Sequence, residues 1–177
     1  MRTIRTKLSL VGLVALGLVT AGCLVSGTFV ISHDFTFTAA EGFYFYPIDV
    51  TAEPDWAKHR DDINDIDAVG FEMTMNNENP GPVTFSAYIA PYDTLPQYET
   101  KDELDSNAYI VIADLEVPSG TSTMTYAQSL GHIQNLAKFK ELAITGKFSY
   151  YGVAEGITPG SFTVDPGKVI LTVSASD

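Results

Sequence analysis

Thr28 to Thr38 reads TFVISHDFTFT and alternates without a break. Phe29, Ile31, His33, Phe35 and Phe37 fall on one side of the run, and Val30, Ser32, Asp34 and Thr36 on the other. A period of two, rich in β-branched and aromatic residues, is the mark of a strand with one face buried. His33 is in phase with the phenylalanines. It is therefore expected to be a partly buried, hydrogen-bonded side chain, with a ligand or base role as the alternative.

The same period recurs downstream. Gly42 to Thr51, GFYFYPIDVT, places Phe43 and Phe45 on one face and Tyr44, Tyr46 and Ile48 on the other. Pro47 has no N–H for a ladder, so this strand is predicted at a sheet edge or at a bulge. Ala68 to Asn77 alternates, with Met73 and Met75 in the phase of Val69 and Phe71, a core phase rather than a cofactor one. The turn cluster NNENPGP (76–82) follows, then a strand carrying Val83, Phe85, Ala87 and Ile89 on one face, so the pair is expected to form a hairpin. Further strands are expected at Tyr109 to Val117, Thr121 to Tyr126, Leu142 to Val153, Ser161 to Val164 and Lys168 to Ala175.

Two stretches break the period. EPDWAKHRDDINDID (53–67) has Pro54 where a first helical turn tolerates it, and Ile63 and Ile66 are spaced by one helical turn. One or two short helices are expected, with Trp56 as a plug into the core. SLGHIQNLAKFK (129–140) carries apolar residues at 130, 133, 136 and 137 and is the second helical insertion. Pro91 to Ala108 shows no period and is expected to be a loop of the functional or mobile kind.

About eight strands, two short helical insertions and no βαβ alternation give an all-β chain. The predicted architecture is an antiparallel β-sandwich, immunoglobulin-like or jelly-roll-like. The paired cysteines of immunoglobulin domains are absent, which leaves the topology open.

Ahead of the first strand stand Arg2, Arg5 and Lys7, then the acid-free apolar run that ends LSLVGLVALGLVTAGC at Cys23. Basic residues, an apolar segment and small residues before a cut site are the layout of an export signal. Thr20, Ala21, Gly22 and Cys23 resemble the lipobox of bacterial lipoproteins, with Thr20 where that family most often has Leu. The resemblance covers residues 1–23 only. It implies that residues 1–22 are removed and that the Cys23 sulfur carries a diacylglyceryl group. It also implies a cell-envelope location, at the outer membrane where there is one, since Leu24 is not the retention Asp. An uncut membrane-spanning helix and a plain secreted form are the alternatives. On this reading residues 23–27 are a short tether, because four residues extend at most about 14 Å. Residues 28–177 are then one sandwich domain.

Without residues 1–22 the chain has seven Lys and Arg against 22 Asp and Glu, a formal charge of −15. Such a surface repels nucleic acid, so no nucleic-acid partner is expected. Cys23 is the sole cysteine, so no disulfide forms within the chain and stability rests on packing.

The chain lacks a nucleophile elbow, a phosphate-cradling glycine loop, a dinucleotide fingerprint and H-E-x-x-H. His33, His59 and His132 have no metal-ligand spacing. No catalytic residue is assigned. Asp61, Asp62, Asp65 and Asp67 are the calcium candidates, with Asp55 and Asn64 beside them, because calcium takes six to eight oxygen ligands. The competing reading, which is preferred, is a solvated acidic cap on a helix, with no cofactor. Tyr44, Tyr46, Tyr88, Tyr92 and Tyr98 either form an aromatic binding surface or pack at strand edges.

The expected function is that of a lipid-anchored, non-enzymatic binding or structural module with an envelope protein or glycan as partner. A hydrolase acting on envelope glycan or peptide, and a polymer subunit joined through sheet edges, are the alternatives.

Overall fold

A computed structural model describes residues 27–39 and 42–175. The expected leader and lipobox, with Cys23, lie outside the described residues. Among the described residues eight strands form: β1 (Gly27–Thr38), β2 (Phe43–Asp49), β3 (Ile63–Asn77), β4 (Val83–Ala90), β5 (Tyr109–Val117), β6 (Gly120–Met124), β7 (Lys147–Glu155) and β8 (Phe162–Ala175). They make two four-stranded antiparallel sheets, ordered β1-β8-β3-β6 and β2-β7-β4-β5.

The pairing is nested. The first strand pairs with the last, the second with the seventh, the third with the sixth and the fourth with the fifth. That is one long antiparallel ribbon rolled into two facing sheets, the jelly-roll arrangement. It decides between the two topologies that the sequence left open.

The opening stretch behaves as its alternation dictates. Ile31, Phe35 and Phe37 of β1 are buried, while Val30, Ser32, Asp34 and Thr36 are exposed. Among the described residues β2 pairs only with β7, so Pro47 stands on an edge strand as predicted. The main core lies between the sheets and includes Phe71, Phe85, Phe148, Tyr150 and Phe162, all fully buried. A smaller second core, Tyr88, Ala90, Leu104, Tyr151 and Val153, covers the outer face of the β2-β7-β4-β5 sheet.

Several expectations fail, each for a physical reason. Only Pro54–His59 (α1) of the first insertion is helical, and β3 already begins at Ile63. Ile63 and Ile66 do share the core side, but through bulges in the β3–β8 pairing between Ile63 and Asp65 and between Ile66 and Ala68. An extra residue in a strand shifts its phase by one, so a spacing of three imitates a helical turn. Trp56 is buried, as expected for a plug. It seats against Gly146, whose φ of +76° and tight contact admit no side chain: a Cβ there would stand 2.7 Å from the Trp56 ring.

β3 and β4 do not form a hairpin, because they lie in opposite sheets and residues 78–82 cross between them. The stretch expected to be a loop contains a helix, Lys101–Asn107 (α2), started by a capping box between Thr100 and Glu103. The second insertion is two helices, Tyr126–Leu130 (α3) and Leu136–Ala143 (α4). Leu142 thus lies in the last turn of a helix that Ile144 caps, and β7 starts only at Lys147. The two expected C-terminal strands are one, β8, interrupted by a bulge at the cis Asp165–Pro166 bond.

Connections segregate by length. The short ones, the link bounded by Ala39 and Gly42 and the stretches 78–82, 118–119 and 156–161, start and finish at one end of the sandwich. The long ones, 50–62, 91–108 and 125–146, lead off from the other, with α2 laid over the outer face of one sheet and α3 along β3 beside Gly70 and Phe71. β1 starts at this second end, where Gly27 and Ile63 flank Ala175 of β8.

Candidate functional site

The end with short turns is held by buried amide chemistry that the sequence presents only as a turn cluster. Asn77 and Asn79 are both buried. The Asn77 side-chain amide donates to the carbonyls of Gly81 (3.0 Å) and Val117 (3.1 Å), and its oxygen accepts from the Asn79 backbone and side chain. Asn79 Oδ1 accepts from the Thr158 backbone at 2.9 Å, and Ser119 Oγ donates to the Asn79 carbonyl at 2.6 Å. Three connections from both sheets are thereby locked together. Every amide atom is committed, so this end is a clasp and offers no free polar group from the pair.

The opposite end carries the sequence-derived candidates. Asp61 and Asp62 lie in the turn after α1, and Asp65 and Asp67 lie on β3; Asp61, Asp65 and Asp67 are exposed and Asp62 is half-buried. Their uses are local. Asp65 accepts from the Ile66 backbone at 2.8 Å, Asp67 accepts from Ser174 at 2.6 Å, and Asp61 faces Arg60 at 3.4 Å. Among the described residues no three His, Cys, Asp or Glu side chains are grouped as metal ligands. His33 Nδ1 lies 2.8 Å from Glu53 Oε1, which ties β1 to the start of α1. The His59 ring packs 4.6 Å from Phe29. His132 stands apart, in a shallow groove of about 210 Å³ between β5 and β6, with Met75, Leu115, Val117, Met124 and Gln128.

The tyrosines do not form one surface. Tyr88 is buried, and its hydroxyl donates to Asp105 at 2.6 Å. Burial and then the Asp105 bond push the Tyr88 hydroxyl up to about 12. The bonds from Tyr88 and from Lys101 hold the Asp105 carboxyl below the usual range. This network fastens α2 over the second core, together with the Tyr151 hydroxyl, which accepts from the Gln97 backbone at 3.0 Å. Tyr44 stacks on Phe37 with ring centroids 4.2 Å apart, and its hydroxyl covers the Thr36 carbonyl on the free edge of β1. Tyr98 packs on Tyr151. Only Tyr92 is exposed, with Lys147 Nζ over its ring at 5.3 Å. Lys147 also pairs with Asp49 at 2.7 Å.

The exposed large apolar side chains are unevenly placed. Tyr92 and Leu95 come from the 91–108 connection, and Leu130, Leu136 and Ile144 from the 125–146 connection. Val30, on the first third of β1, completes the set. Among the described residues the four short connections contribute none.

No protein-family model and no curated protein matches the chain. Among solved structures it is similar to a chain of Desmodium yellow mottle tymovirus, with 9% identity, 85% of this chain and 89% of that one covered, and a TM-score of 0.30. It is also similar to a chain of infectious bursal disease virus strain Gx, at 11% identity, 85% and 32% coverage, and a TM-score of 0.33. A third likeness is to dimeric latent PorU from Porphyromonas gingivalis, at 10% identity, 89% and 14% coverage, and a TM-score of 0.34. Likenesses at this level carry no functional reading, and the architecture stands on the strand pairing alone.

Proposed function

We propose that this chain is a lipid-anchored module of the bacterial cell envelope, with a binding or structural role and no catalysis of its own. The observation that carries the reading is the succession of Leu8 to Cys23 and a strand that begins at Gly27. A thiol preceded by Thr-Ala-Gly suits diacylglyceryl transfer, because only a sulfur nucleophile forms the thioether. Two or three acyl chains hold a protein stably, where one is marginal. Among the described residues no helix is long and apolar enough to cross a membrane.

Cys23→Ser tests the reading. The variant is expected to leave the membrane fraction or to accumulate with residues 1–22 attached. A variant that is processed and retained like the wild type contradicts it.

One observation favours the polymer alternative. Among the described residues β1 is a 12-residue edge strand, and it has no Lys or Pro, the residues that usually blunt such edges. Pairing with another chain along this edge would give concentration-dependent assembly in sedimentation, which a Ser32→Pro substitution would abolish.

A further inference from the structure

We infer that the end of the sandwich bearing the long connections lies against the bilayer surface and that the clasped end points away from it. The inference rests on the lipid-anchor reading and adds which surface meets the lipid and what chemistry it uses.

Single exposed apolar residues are ordinary on a folded protein. Here their distribution is not. Tyr92, Leu95, Leu136 and Ile144 come from the long connections on the end where β1 starts, whereas Leu130 lies further along the sandwich, against Gly70 of β3. The chain between Cys23 and Gly27 cannot exceed about 14 Å. An acyl chain buried in the membrane at Cys23 therefore holds that same end within reach of the headgroups, and the opposite end, a strand length further on, cannot replace it. β1 alone has 12 residues, or about 40 Å at a strand's rise.

The polar residues at this end refine the partner. Lys138, Lys140 and Lys147 present long apolar stems with charged tips, and Lys147 lies over Tyr92. Such side chains suit the headgroup layer. Asp55, Asp61, Asp65 and Asp67 are exposed at the same end and repel anionic lipid. The contact is therefore apolar insertion into a zwitterionic surface rather than charge attraction. The acyl chains supply the hold, and the exposed aliphatic side chains set the orientation.

The test uses the full chain, extracted from membranes and returned to phosphatidylcholine vesicles that contain doxyl-labelled lipid. A single new cysteine, Leu95→Cys or Ile144→Cys at one end and Glu78→Cys or Gly81→Cys at the other, carries a bimane fluorophore. All four positions are at the surface, and Cys23 is blocked once acylated. Quenching is expected to be several-fold stronger at 95 and 144 than at 78 and 81. Equal quenching at all four, or stronger quenching at 78 and 81, overturns the orientation while leaving the anchor intact. A purified chain whose mass shows no acyl group overturns both.

Discussion

Tyr150 is the residue whose chemistry is least resolved by its surroundings. Its hydroxyl is fully buried in the main core, where burial pushes its ionisation well above the ordinary tyrosine range, and it has no hydrogen-bond partner among the described residues. An unpaired buried hydroxyl costs about 1–3 kcal/mol. Tyr150→Phe keeps the ring contacts with Phe35, Phe37 and Phe71 and removes that cost. Urea denaturation should show the variant more stable by about 1 kcal/mol; a loss of similar size would contradict the account. Asn79 is the converse. Asn79→Ala leaves the Asn77 oxygen under-satisfied and the Thr158 N–H without a partner, and should destabilise by about 2–3 kcal/mol. A neutral effect would mean that the clasp is not structural. Neither residue was legible as such in the sequence. A Tyr in core phase looks like any other aromatic, and NNENPGP signals a turn without saying that two of its amides point inward.

At the scale of elements, the sequence spoke most clearly where the period was strict. β1 and β2 appear where the alternation and Pro47 place them. It misled where bulges shift the phase, as at Ile63 and Ile66, and it was silent on α2, whose Thr100–Glu103 capping box was present but unread. The 91–108 connection is held largely by carboxylates. Asp93, Glu103 and Asp105 all titrate below their ordinary values, because each accepts hydrogen bonds in the folded state. Depressed folded-state values mean that their contribution is whole above the unfolded pKa and is lost as the pH falls through the folded one. The 91–108 segment should therefore loosen in acid before the sandwich does. Pepsin at about pH 3, below the ordinary carboxyl values, should make its first cut between residues 91 and 108. A first cut inside β3 or β8 would refute this. The other insertion depends on Trp56, and Trp56→Ala should cost about 3–5 kcal/mol by calorimetry, the range for a large aromatic that leaves a cavity. A change below about 1 kcal/mol would show that the plug is dispensable.

At the scale of the whole molecule, the sandwich class was legible, and the nested pairing was not. Alternation identifies strands and their buried faces, but it is the same whether a strand pairs with its neighbour in sequence or with one more than a hundred residues away. The expected β3–β4 hairpin failed for this reason: turn residues mark a reversal of direction without saying whether the chain stays in its sheet. The candidate site was legible only in part. The four aspartates were found, but the end of the molecule that they share with the exposed aliphatic residues emerges only from the fold. The proposed anchor is what gives that end its meaning, and it is open to direct weighing. Intact-mass analysis of the protein from its native membrane fraction should find a chain that starts at Cys23 and carries a diacylglyceryl group on sulfur. A native chain that retains residues 1–22 with a free Cys23 thiol would contradict the account at its centre.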